Sequence, residues 1–412
     1  MTTFVEMHML RSFPPSNLNR DDLGSPKTAV FGGARRLRIS SQCLKRTWRM
    51  SEHFRGAFGE EQLGIRTNRL PEQVLAQVGS ELDEPTRAGL VSLLSAIGRK
   101  SAVVAAEKED DSDDAAPGDD EAGLADTRTA HLLYMSQQEI NAVASFAVEN
   151  KDKLAKVLKK KKPDADAIKK LRKDLEAYLQ AHTTKNAVDV GLFGRFVTSD
   201  EFDTVEGALQ VAHGLGTQKV ELEYDYFTAV DDLGDEPGAG HLGETEFASS
   251  VLYLYACCDL AQLGTNLGAR DKDGRVPDEE AHALARRSLP ALVRAMAEAT
   301  PKGKRTGTAP HTPAEYVEVV VRRGAPLSFA NAFLKPVASR ESDGDVMAAS
   351  IRRLVDHRDR VEIAYGRAED ALARFVLCLR DVDPAGVETA IVPSIGDLAS
   401  RLGTELDALT ET

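Results

Sequence analysis

The sequence predicts an α+β fold, a sheet protein carrying a helical insertion. β-patterned runs occur near the start of the chain and again after Asp189. The stretch between them, about 59–184, is helical in period and poor in aromatics. Downstream, apolar strand-like runs are separated by helical segments.

Thr3–Leu10 is rich in apolar and β-favouring side chains, too continuously for a half-exposed edge, so it is expected as a central strand. A long polar connection follows, with Pro14-Pro15 and Gly32-Gly33. Ser40-Ser41 offers a side-chain cap for a helix running to about Phe54. Projected at 100° per residue, Cys43, Leu44, Thr47, Trp48 and Met50 form one side and Lys45, Arg46 and Arg49 the other. Such a helix can dock on a sheet while presenting three cations to something anionic, the alternative on this helix alone being a merely solvated basic face. Within the insertion, Glu107–Gly123 combines Pro, Gly and Ser with acids and reads as a mobile linker. Helical period resumes near Leu132, breaks at Pro163 and restarts with Ile168, Leu171, Leu175 and Leu179, giving a lysine-rich hairpin from Lys156 to Lys173. Val251–Ala256 and Tyr316–Arg323 read as strands, with a helix from Asp278 to Ala299 between them that contains Pro290. Val346–Ala373 reads as helix and Arg374–Leu379 as a short strand.

The 412 residues are 42% hydrophobic, enough to bury a substantial core. No apolar run approaches the roughly 18–20 residues of a membrane span, and the first residues lack a signal-peptide pattern. The four cysteines, Cys43, Cys257, Cys258 and Cys378, show no CxxC spacing, so a reducing cytoplasm is the expected location. Net charge is −13, but phosphate binding depends on local patches. Lys27 to Arg55 holds eight basic residues against one acid, and Lys151 to Lys173 eleven against three. Glu107 to Glu121 holds nine acids and one lysine. The charge is segregated.

Catalytic patterns are missing: there is no phosphate loop, HExxH, GxSxG or strand-leaving GxGxxG, and the nine histidines are scattered. No catalytic residue, metal site or cofactor is therefore expected. Asp21-Asp22 and Asp231-Asp232 are adjacent acids of a kind that more often cap or brace loops than hold a divalent ion.

The block Asn17–Asp22, the run FGGARRLRISSQCLKR (Phe31–Arg46), and VDVGLFGRF, YFTAVDDL, HLGETEF and PLSFANAF further on closely resemble the CasC family. CasC is the backbone subunit of the type I-E CRISPR Cascade complex, and the blocks occur in the family's order over about 1–335. The resemblance implies a palm with a modified RRM-like (ferredoxin-like) antiparallel sheet, a helical fingers insertion and a β-hairpin thumb. The boundaries expected are palm 1–58, 185–223 and 248–412, fingers 59–184 and thumb 224–247. It also implies that several copies polymerise along one guide RNA and present it for pairing with target DNA in antiviral defence. Implied partners are the guide RNA, target DNA, further copies of the chain, and the large, small, guide-processing and end-capping Cascade subunits, with no membrane.

By position, the resemblance assigns Asn19, Arg20, Lys27, Ser40, Gln42, Lys45, Arg46 and Arg49 to the guide backbone. Cations and polar tips suit phosphate and 2′-OH, and reading bases would defeat a guide of variable sequence. Phe196 is placed as a wedge against a kinked base, the alternative being ordinary core. Tyr226, Phe227, Thr228, Val230 and Leu242 are assigned to the flipped nucleotide, a use compatible with hairpin core. Lys156, Lys159, Lys160 and Lys162 match a surface facing DNA. The main alternative is a metal-dependent ribonuclease acting on guide-paired RNA through a loop aspartate; another is a protein scaffold whose basic loop binds acidic partners.

Overall fold

A computed structural model describes residues 2–97, 128–129, 131–158, 165–183, 187–197, 201–230, 239–268, 279–338, 343–384 and 391–409. The acidic linker, Pro163, Lys159, Lys160, Lys162 and Asp231-Asp232 lie outside these residues. In chain order the first elements are β1 (Thr3–Ser16), β2 (Thr28–Phe31), β3 (Ala34–Ile39), α1 (Ser41–Arg49) and α2 (Glu52–Arg55). Next come β4 (Gly64–Thr67), α3 (Leu70–Val78), α4 (Glu84–Ser95), β5 (Leu133–Ser136), α5 (Gln137–Glu149), α6 (Lys151–Leu158), α7 (Ala165–His182) and α8 (Val188–Phe193). The strands β6 (Leu209–Val211), β7 (Gly214–Gly216), β8 (Glu223–Val230) and β9 (Ala239–Asp259) follow, then α9 (Leu260–Asn266), α10 (Glu279–Glu298) and α11 (Arg305–Thr308). The chain closes with β10 (Tyr316–Arg323), α12 (Val346–Ala364), β11 (Ala371–Cys378) and α13 (Ile395–Ala408). It divides into two compact units, 1–58 with 208–264 and 279–412, and 59–207 with 265–278. Residues 185–207 thus group with the second unit, where the sequence pattern places the border at 184.

The first unit is built on an antiparallel sheet in the order β11-β10-β1-β9-β7-β3-β2, with β6 and β8 also on β9. β1 is central, as expected, and buried on both faces from Val5 to Arg11. The strand runs six residues beyond the expected end at Leu10. Pro14 and Pro15 are tolerated because the β1–β9 register shifts between Phe13 and Ser16, where no ladder N–H is needed. The expected loop after it contains the β2–β3 hairpin. Its two-residue turn is Gly32-Gly33, both at positive φ (58° and 74°), the conformation a primed turn demands. β9 is long enough for two jobs. Ala248–Asp259 pairs with β1, while Ala239–Phe247 pairs with β8 as a two-stranded ribbon. α12 lies against β1 and β9, and α10 packs with α1, α2 and α13. α12 ends at Ala364, nine residues earlier than expected, because Gly366 takes φ 60° and turns the chain into β11.

One polar feature of this core has no counterpart in the apolar reading of β1. Glu6, His8, Glu318, Arg322 and Arg358 are fully buried. The Arg322 guanidinium donates to Glu6 (2.8 Å) and Glu362 (2.7 Å), and Arg358 donates to Glu318 (3.1 Å). Arg374 bridges Glu318 and Glu362, the Tyr316 hydroxyl donates to Glu318 (2.8 Å), and His8 Nδ1 meets the Tyr253 hydroxyl at 2.8 Å. Burial pushes the Glu6 and Glu318 carboxyls up, but His8 and Arg322 around the first, and Arg358, Arg374 and His8 around the second, reverse this and hold both below the ordinary glutamate value. The network ties α12 to the sheet, and removing one member of such a buried pair costs about 3–5 kcal/mol.

The second unit is helical around its own core of Leu70, Val74, Leu90, Leu94, Ile140, Val143, Phe146, Leu154, Leu171, Leu175 and Leu179. α5 begins with a capping box: Ser136 accepts from the Glu139 amide and the Glu139 carboxylate accepts from the Ser136 amide. α7 buries Leu171, Leu175 and Leu179 at the spacing read from sequence. β4 and β5 form a separate small antiparallel pair.

Candidate nucleic-acid interface

The basic loop and α1 are assembled by hydrogen bonds among residues of the first unit. Asp21 builds the loop, its carboxylate accepting from the Leu23 (3.0 Å) and Ser25 (2.9 Å) amides. Asn17, fully buried, donates through Nδ2 to the Gly24 and Glu246 carbonyls and so ties this loop to the base of the ribbon. The Lys27 amide donates to the Asn19 carbonyl (2.8 Å), and the Arg38 amide to the Lys27 carbonyl (2.9 Å). Lys27 is thereby fixed beside β3 and the start of α1. Asn19 has a structural task too: its Oδ1 accepts from the Ser40 amide at 2.8 Å.

Ser40 is the N-cap of α1, as expected, and its hydroxyl accepts from the Cys43 amide. The Ser41 amide donates to His213 Nδ1 at 3.2 Å. These first-turn amides are thus already partnered within the protein, so attraction for phosphate at this end falls mainly to side chains. Burial, then Arg38 and Lys27, lower the His213 pKa, which keeps the imidazole neutral and able to accept. Nothing in the sequence marks an isolated His before Gly214, so His213 is not among the expected site residues.

On α1, Gln42 and Arg46 are exposed and Lys45 half-buried, with burial lowering the Lys45 pKa. Arg49 is placed differently from the projection: it is only 8% exposed, while Met50, expected on the docked side, is 42% exposed. The projection assumes one helix to Phe54. α1 instead stops at Arg49, Met50 is its C-cap, and Ser51 caps a separate turn, α2. The cationic surface here is therefore Arg20, Lys27, Lys45 and Arg46, with Arg49 packed inside.

In the ribbon, Tyr226 (67% exposed) and Phe227 (46%) are open to solvent, as is Thr228, so they do not form a hairpin core. Successive residues point to opposite faces. Tyr226 and Thr228 share one face, opposite Glu244 and Leu242 in register, and Phe227 lies on the other, opposite Gly243. A Cβ on Gly243 would stand 2.2 Å from the Phe227 ring, so the absent side chain is what seats that ring. The Val230 and Leu242 side chains lie outside the described residues; their backbones are in β8 and β9.

In the second unit, Phe196 is 85% exposed. It follows Gly194 (φ 81°) and Arg195, which pairs with Val205 in an isolated bridge. The Arg195 guanidinium is buried, donating to the Glu139 carboxylate (2.7 Å) and the Tyr134 (3.1 Å) and Asp203 (2.9 Å) carbonyls. The backbone is anchored one residue before an aromatic left in solvent. Core is thus excluded for Phe196, while Phe193 is half-buried. Lys156 is exposed on α6.

Among the described residues no helix is long and apolar enough to cross a membrane, and no group of three or more His, Cys, Asp or Glu side chains is arranged to hold a metal ion. Against known proteins, no curated protein matches the chain. Solved structures do match, and two of them show the likeness. A chain of a CRISPR RNA-guided surveillance complex in a pre-nicking state is 28% identical, with a TM-score of 0.74 over 98% of this chain and 100% of that one. A second chain, from a CRISPR RNA-guided surveillance complex, is 24% identical with a TM-score of 0.66 over 98% and 99%, a likeness of fold. The family model described as CT1975-like protein matches residues 5–401. With that match running almost end to end, the chain belongs to the CT1975-like family.

Proposed function

We propose that this chain is a non-catalytic, guide-RNA-binding backbone subunit of a CRISPR Cascade surveillance complex of type I-E. The observation that carries the reading is the end-to-end likeness, at 28% identity, to a chain of an RNA-guided surveillance complex. In this reading the first unit is an RRM-like palm, the second the fingers and the β8–β9 ribbon the thumb. Copies polymerise along the RNA and present it for pairing with target DNA beside the other Cascade subunits in the cytoplasm.

Asn19, Arg20, Lys27, Ser40, Gln42, Lys45 and Arg46 hold the sugar–phosphate backbone, Asn19 partly by fixing Ser40. Tyr226, Phe227 and Thr228, with Val230 and Leu242, meet the flipped nucleotide, and Phe196 wedges against a kinked base; solvent-facing aromatics are suited to such contacts. Lys156, with Lys159, Lys160 and Lys162, faces DNA. The ribonuclease alternative draws no support from the first loop, where the Asp21 carboxylate is already used by two loop amides.

The test is the double variant Lys45→Ala/Arg46→Ala. It should weaken RNA binding on unrelated guide sequences alike and lower the log–log salt slope by roughly 0.7 for each phosphate no longer neutralised. Wild-type binding by the folded variant would refute the backbone contact.

A further inference from the structure

The segment Pro301–Pro310 between α10 and β10 belongs to no motif read from the sequence, yet it joins the same surface. Pro301 and Pro310 are buried at its two ends, while Lys302, Lys304 and Arg305 between them are exposed. The neck is closed by Arg11 of β1, a buried guanidinium with four acceptors from either side of the loop. It donates to the Glu298 (3.1 Å), Ala299 (2.5 Å) and Thr312 (2.6 Å) carbonyls and to the Thr300 hydroxyl (2.6 Å).

Two contacts fix where the loop sits. Gly303 lies on the carbonyls of Asn17 and Leu18, so close that a Cβ there would stand 2.3 Å from the Leu18 oxygen. Lys304 donates from Nζ to Thr245 at the base of the ribbon (2.8 Å). The backbone is held in a costly conformation to do so: Lys304 (φ 41°) and Ala309 (φ 43°) are left-handed without being glycine, the kind of strain that persists where surrounding contacts over-determine it. The loop is therefore a clamped support for three cations, placed one residue from Asn19-Arg20 and against the ribbon.

We infer that Lys302 and Arg305 form a further phosphate-binding wall, engaging the same RNA strand as Asn19 and Arg20, with Lys304 positioned between loop and ribbon. Neither the Lys302 nor the Arg305 side chain has a polar partner among the described residues, so their heads are available at no cost in broken ion pairs. Flanking cations contribute to backbone affinity without reading bases. The inference rests on the RNA reading above.

The experiment compares Lys302→Ala/Arg305→Ala, Lys45→Ala/Arg46→Ala and Gly303→Ala in the full chain, binding a single-stranded RNA across a salt series. Lys302→Ala/Arg305→Ala should lower the log–log slope by about 1.4, two phosphates at roughly 0.7 each. Gly303→Ala removes no charge and should still weaken binding by displacing the loop from Leu18. A loss confined to Lys45→Ala/Arg46→Ala would overturn the loop proposal and leave the RNA reading standing. No loss in either charge pair would overturn both. If Lys302→Ala/Arg305→Ala kept RNA affinity but weakened RNA-free self-association, the loop would belong to an acidic protein surface and the proposal would be wrong.

Discussion

Phe196→Ala separates folding from binding, because the side chain it removes stands almost entirely in solvent. Burying a phenylalanine is worth roughly 1.5–3 kcal/mol. At 85% exposure little of that is realised, so the substitution should cost only about 0.2–0.5 kcal/mol of stability. For a chain of this size that is a shift in Tm of only about 0.2–0.6 °C. Stacking on a nucleobase is worth about 1–3 kcal/mol, which corresponds to a loss of roughly 5- to 150-fold in affinity. Fluorescence anisotropy on short single-stranded RNA, paired with a thermal melt, reads both. Homopolymers of different base should lose affinity similarly, because every base has a face to stack. A drop of many degrees in Tm would mean that Phe196 supports the fold. Unchanged affinity at unchanged Tm would mean that it touches no base.

Gly243→Ala should displace the Phe227 ring, whose Cζ lies 2.2 Å from the new Cβ, and reproduce the affinity loss of Phe227→Ala on RNA; matching wild-type affinity would remove the ring from the interface. Glu318→Gln should destabilise the chain at neutral pH by about 3–5 kcal/mol, since it leaves Arg358 and Arg374 facing a neutral group in the core. The Glu6 and Glu318 carboxyls are held below their ordinary value, so their stabilisation is complete above the unfolded pKa of about 4.3 and fades as pH falls through the folded values. Urea unfolding should therefore show the gap between wild type and Glu318→Gln narrowing under acid; a gap independent of pH would contradict the network's role.

The sequence made β1, the capped start of α1 and the leucine spacing of α7 legible because each is a local pattern with one physical cause: continuous apolarity, a serine cap, a repeat at helical period. The stop of α1 at Arg49 was not, since Ser51 caps a new turn that interrupts an otherwise continuous helical pattern, and Arg49 went to the wrong side as a result. The Gly32-Gly33 hairpin carried its signal in plain view, yet the surrounding charge read as loop. Arg322 and Glu6 are 316 residues apart in sequence, and no local pattern announces that pairing. In the candidate interface, Asn19, Lys27, Ser40, Lys45 and Arg46 are brought close through backbone and cap hydrogen bonds. His213 and the Pro301–Pro310 loop reach the same surface only through the sheet, so their place there could not be read from their neighbours.

The central claim is that this chain holds RNA by its backbone and leaves both its sequence unread and its strand intact. Binding of the full-length chain to two RNAs of unrelated sequence, followed across a salt series in magnesium, tests it most directly. The account predicts affinities within about twofold of each other, a slope of roughly 0.7 per phosphate over several phosphates, and RNA recovered uncut. A strong preference for one sequence, salt-independent binding, or chelator-sensitive cleavage abolished by Asp22→Ala would contradict it.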